Sequence, residues 1–138
     1  MSNSTSIKIL QDGPRNVTVK FEGVLDTSDL TSTVILDPAT LSDMTDFGQK
    51  ATKLRINKIQ YSIEDTLSVN LFWDATAPIR IEELTGRGKL EHFKFGGLSP
   101  LPSESGSAGW TGKITATTQG WAASAVLSFS IILECIKG

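Results

Sequence analysis

Apolar and polar residues alternate along most of this chain. From Asn16 to Leu25, Val17, Val19 and Phe21 fall on one face and Thr18, Lys20 and Glu22 on the other. Period two with β-branched residues predicts a half-buried strand. Ile7 to Leu10 is a short strand candidate behind a polar N-terminal arm, residues 1–6, and Asp12-Gly13-Pro14 predicts a turn. Thr33 to Leu36 is another short strand. Asp37-Pro38 then predicts at most one or two helical turns around Pro38 to Met44, with Asp37 capping and Pro38 at the first helical position. Leu54 and Ile56 sit on even positions, whereas Ile59, Tyr61 and Ile63 sit on odd ones, so one extra residue near Asn57 predicts a β-bulge.

Glu64-Asp65-Thr66 turns the chain into a second long strand, in which Leu67, Val69, Leu71 and Trp73 share a face. The two long strands are expected to form a hairpin. A second hairpin is expected from Ile79–Leu84 and Leu90–Phe95, which flank Thr85-Gly86-Arg87-Gly88-Lys89. The stretch 96–109, GGLSPLPSESGSAG, is a long Gly/Pro/Ser loop of the kind that is functional or mobile in compact domains. Trp110 to Thr118 resumes strand character and Gln119-Gly120 turns. At the end, Ala125, Leu127, Phe129, Ile131, Leu133 and Cys135 share one face; a helix is open for Ala122 to Val126, but alternation favours a strand beyond it. About eight strands, short turns and no linker predict one all-β domain over residues 1–138, an antiparallel β-sandwich of jelly-roll type.

Composition narrows the chemistry. The chain has 138 residues, 13 Lys+Arg against 15 Asp+Glu and a net charge of −2, which argues against nucleic-acid binding by phosphate neutralisation. The 15 serines, 15 threonines and 12 glycines suit strands and turns. One cysteine, Cys135, excludes an intrachain disulfide and a multi-cysteine zinc site, and one histidine, His92, excludes paired-histidine metal motifs. His92 lies between Glu91 and Phe93, which point to the opposite face of a strand, so it reads as a surface or edge residue and not a catalytic base. Cys135 reads as a buried thiol. Asp26/Asp29, Asp43/Asp46 and Glu82/Glu83 lack the spacing of a calcium loop, and Asp26 reads as a turn cap. Gly86-Arg87-Gly88-Lys89 lacks the spacing and the following helix of a phosphate loop. Lys53, Arg55 and Lys58 form a small basic stripe, solvated or a dock for an acidic partner. No catalytic, cofactor or metal residues are assigned, and no enzyme is expected. The N-terminus lacks a secretory pattern and Trp121–Leu133 is too short to cross a bilayer, so a soluble product made in a reducing cytoplasm is expected.

The segments DGPRNVTVKFEGVLDTSD (Asp12 to Asp29), ILDPATLS (Ile35 to Ser42), LRINKIQYSI (Leu54 to Ile63) and LFWDAT (Leu71 to Thr76) come in this order. They are followed by IEELTGRGKLEHFKFGGL (Ile81 to Leu98) and SIILECIKG (Ser130 to Gly138). In this pattern the chain resembles virion structural proteins of tailed bacteriophages, and is most similar to head decoration, or cement, proteins. The resemblance covers nearly the whole chain and carries no residue-level motif. It implies a non-enzymatic β-rich protomer on the outer capsid surface, often a homotrimer, whose partner is the major capsid protein. Expected contact residues are Ser2, Asn3 and Ile7 of the arm, Arg15 in a turn, and the edge aromatics Trp110 and Trp121, which could anchor an interface. A tail-tube or head–tail connector component and a carbohydrate-binding module remain as alternatives.

Overall fold

The computed structural model describes residues 3–41, 48–49, 54–92, 97, 108–122 and 126–137. Among the described residues, nine strands form two antiparallel sheets around one hydrophobic core: β1 (Ser4–Asp12), β2 (Asn16–Leu25), β3 (Thr33–Leu36), β4 (Leu54–Ile63), β5 (Ser68–Trp73), β6 (Ile79–Thr85), β7 (Arg87–Glu91), β8 (Ile114–Gln119) and β9 (Leu127–Lys137). A five-stranded sheet has the order β1-β2-β9-β4-β7, and a four-stranded sheet the order β3-β8-β5-β6. Without β1, the two four-stranded layers 2-9-4-7 and 3-8-5-6 have jelly-roll connectivity. The chain changes sheet at every connection from β2 onward except the β5–β6 hairpin, so the expected β-sandwich is present with one added edge strand.

The inner faces follow the alternation. Val17, Val19 and Phe21 on β2, Leu54, Ile56 and Ile59 on β4, and Ile131 and Leu133 on β9 are fully buried. The Phe21 and Phe129 rings meet at 5.1 Å between centroids. The register of β4 against β9 shifts between Ile56 and Lys58, which is the bulge expected at Asn57. A single 3₁₀ turn, Pro38–Thr40, follows Asp37, whose Oδ1 accepts the Ala39 N–H at 3.0 Å; the expected helical positions 42–44 lie outside the described residues.

Both expected hairpins are corrected. β4 pairs with β7 and β9, whereas β5 pairs with β6 and β8, so Glu64–Leu67 is a corner between sheets. Similarly β6 and β7 belong to different sheets. Gly86, at φ +68°, makes that corner, and β7 starts at Arg87 instead of Leu90. Alternation identifies core-facing positions, but both inner faces of a sandwich are apolar, so it cannot say which sheet a strand joins. The arm is corrected too. Residues 4–6 continue β1, with Ser4, Thr5 and Ser6 opposite Val24, Gly23 and Glu22, because backbone pairing to β2 is indifferent to side-chain polarity. Gly97, Ala108 and Gly109 apart, the expected long loop lies outside the described residues.

One buried charge ties the chain ends together. The Lys137 ammonium is fully buried, 2.6 Å from Asp12 Oδ1 and 2.7 Å from the Gly13 carbonyl oxygen. Its backbone N–H donates to the Arg15 carbonyl at 2.7 Å. An ammonium out of water must be held by such acceptors, and removing the carboxylate of a pair like this costs about 3–5 kcal/mol.

Candidate interaction surface

On the five-stranded sheet, register lines up the outward residues into rows that cross all five strands. One row runs Ser6, Glu22, Ser130, Ser62 and Arg87; the next runs Lys8, Lys20, Ile132, Gln60 and Lys89. A third runs Gln11, Thr18, Glu134, Lys58 and Glu91. Serines are shorter than the lysines and isoleucine beside them, so the face is troughed. A depression of about 420 Å³ lies over Ser4, Ser6, Ser128 and Ser130, and one of about 450 Å³ over Gln60, Ser62, Lys89 and Ile132. They share Ser62 and Ser130.

Charge is uneven here. Lys20 is 3.5 Å from Glu22 and Lys89 is 3.4 Å from Glu91, both pairs open to solvent and weak. Lys8 sits directly opposite Lys20, an arrangement that costs a sheet some stability. The basic stripe seen in the sequence is thus one strand's share of a wider surface: β4 supplies Arg55 and Lys58, while β1, β2 and β7 add Lys8, Lys20, Arg87 and Lys89. Lys53 lies outside the described residues. The other sheet differs, since its outward-facing Asn70 and Thr115 are buried at 1% and 2% exposure.

A second surface lies on β1. Ile7 and Ile9 pair with Phe21 and Val19, so they point to the core side of the sheet. Yet they are 41% and 47% exposed, and Leu10, at the bulge, is 55% exposed. The facing sheet ends at β3, which packs over β2, so the sandwich stops short of β1.

The expected contact residues do not come together. Asn3 is no free arm residue: its side chain accepts the Asp26 and Thr27 N–H groups, both at 3.1 Å, and donates to the Ser28 carbonyl at 3.0 Å. It thereby staples the start of β1 to the turn after β2. Ser2 lies outside the described residues. Arg15 is exposed in the β1–β2 turn, and Ile7 lies on the strip just described. Trp110 and Trp121 are half-buried against the core instead of exposed at strand edges, Trp110 with its ring centroid 5.9 Å from that of Trp73. Large rings near the sandwich ends have open core to cover, which sequence neighbours do not reveal. The Trp121 N–H donates to Asp29 Oδ1, which also accepts the Thr118 hydroxyl, both at 3.1 Å.

The reactive groups are placed by burial. Cys135 faces the core at 2% exposure, and desolvation, with a smaller contribution from the Glu134 charge, pushes its thiol up to about 12. At neutral pH it is a thiol and no nucleophile. His92 is half-buried just beyond β7, its backbone N–H donating to the Asn57 carbonyl at 2.8 Å. Asp26 accepts the Thr27 hydroxyl at 2.9 Å, whereas the Asp26 and Thr27 backbone N–H groups of that turn are held by Asn3. Among the described residues no three His, Cys, Asp or Glu side chains are grouped to hold a metal ion, and no helix is long and apolar enough to cross a membrane. Comparison with protein-family models, with curated proteins and with solved structures found no match for this chain.

Proposed function

We propose that this chain is a non-enzymatic structural protein of a bacteriophage virion, which decorates the outer capsid surface and stabilises the head by binding the major capsid protein as a homotrimer. The observation that carries the reading is the strip on β1. Ile7 and Ile9 are aimed at the core side of a rigid sheet and have no sheet above them, and Leu10 stands exposed beside them at the bulge. Apolar side chains held there by ten-residue β2 gain by being covered by a neighbouring protein. The described nucleophile candidate, Cys135, is sealed in the core, so the exposed chemistry is that of contact and not of turnover. The resemblance in sequence pattern to decoration proteins supplies the partner. On a shell that presents many identical sites, each contact can be weak and still hold by multivalency.

The test is co-sedimentation with expanded, empty heads of the parent phage. The wild-type protein is expected to pellet with heads to a saturating ratio, and a variant with Ile7→Asp and Ile9→Asp to stay in the supernatant with an unchanged thermal midpoint. Wild-type protein left in the supernatant would sink the reading. Gold-labelled protein found on tails in electron micrographs would transfer it to the tail.

A further inference from the structure

The five-stranded sheet's outward face and one end of the sandwich are complementary in charge. Among the described residues, six cations, Lys8, Lys20, Arg55, Lys58, Arg87 and Lys89, share that face with three carboxylates, Glu22, Glu91 and Glu134. Elsewhere the described residues hold four cations and nine carboxylates. The opposite bias is strongest at the end where β2, β4 and β8 finish and β9 begins. Strand pairing fixes this end: Leu25 lies opposite Leu127, Ile63 opposite Phe129 and Ser68 opposite Gln119. Among the described residues of its connections, 26–32, 64–67, 120–122 and 126, stand Asp26, Asp29, Glu64 and Asp65 and no lysine or arginine, while Arg87 at the start of β7 lies beside Glu64 and Asp65. Asp29 accepts from Thr118 and Trp121, Asp26 from the Thr27 hydroxyl and Glu64 from the Ser128 hydroxyl; Asp26, Glu64 and Asp65 stand around the rim, the last two exposed. At that same end Val24 and Val126 are 40% and 64% exposed.

We propose that these two surfaces bind each other between copies: the acid-rimmed end of one molecule seats on the basic face of the next. Val126 fits the depression of about 450 Å³ beside Ile132, and the carboxylates meet the row of Lys8, Lys20 and Lys89. The Lys8–Lys20 opposition, unfavourable in an isolated molecule, is relieved when an anionic neighbour lies over it. Because the two patches differ, the contact is head-to-tail, and repetition gives a ring where the rotation between copies closes and an open filament where it does not. The contact deepens the homotrimer part of the proposed function by naming its surfaces, and it leaves the β1 strip for the capsid. Its test contains no capsid, so the two readings fail separately.

Two variants keep the fold and remove charge. One carries Lys8→Ser, Lys20→Ser and Lys89→Ser on the face; the other carries Asp26→Asn, Glu64→Gln and Asp65→Asn at the end, which preserves the side-chain hydrogen bonds. Sedimentation velocity over a concentration series is expected to show wild-type oligomers at low salt. They should weaken at least about tenfold at high salt, where the Debye length falls from about 10 Å at 0.1 M to about 3 Å at 1 M. Each variant alone should be monomeric, and an equimolar mixture should give a one-to-one pair, since one intact face meets one intact end. A monomeric wild type, an end variant that still self-associates, or a mixture without pairs would each overturn the proposal.

Discussion

Cys135 shows how much one position owes to its surroundings. Its thiol is raised to about 12 from an ordinary 9.0, chiefly by desolvation, because β9 is the middle strand of the larger sheet and Cys135 points inward. The thermodynamic sign follows from which state holds the proton. Below about pH 9 both states hold it and the group adds no pH dependence. Between about 9 and 12 the unfolded thiol ionises while the folded one does not, so stability falls, by at most about 1.4 kcal/mol per pH unit. Urea unfolding at about pH 8 and about pH 10.5 should show this fall in the wild type and a shallower one in Cys135→Ala. Equal slopes in the two proteins would mean that the thiol ionises in the folded state.

At the scale of elements, the corners decide the topology. Gly120 ends β8 at φ +102°, and a Cβ there would run into the Thr66 carbonyl oxygen, which belongs to the corner leading into β5. Gly86 also has positive φ, +68°, yet a Cβ there would meet open space. Gly120→Ala is therefore expected to cost about 3 kcal/mol or more, from backbone strain plus the collision, and Gly86→Ala only about 1–2 kcal/mol from the backbone. Comparing urea midpoints at constant m reads both, and equal losses would show that the corner at Thr66 can yield. In the sequence, the strand Asn16–Leu25, the change of phase between Leu54/Ile56 and Ile59/Ile63 and the bulge at Asn57 were legible, because each rests on local alternation. The two mistaken hairpins, β4–β5 and β6–β7, were not, because a turn that reverses the chain within a sheet and a corner that carries it to the facing sheet use the same Gly and acidic residues.

For the whole molecule, the centre of the larger sheet joins β2, from near the start of the chain, to β9 at its end, in an unbroken ten-residue register from Asn16–Ile136 to Leu25–Leu127. Folding thus waits on the C-terminal strand, whereas β1 lies at an edge with little of its surface covered. A chain lacking residues 1–12, with Lys137→Met to remove the ammonium left without Asp12, should still unfold cooperatively in a thermal melt followed by circular dichroism. A chain lacking residues 127–138 should show no transition; a cooperative melt from it would contradict the topology. The sequence by itself determined the all-β class, which positions face inward, the β4 bulge and the inert thiol, because these depend on neighbours along one strand. Tertiary structure alone decided which strands pair, that Asn3 staples a turn, that Trp110 and Trp121 cover core, and that six cations from four strands share one face. Those outcomes depend on contacts between residues as much as 125 positions apart, as with Asp12 and Lys137, and no local pattern encodes which distant strand becomes a neighbour.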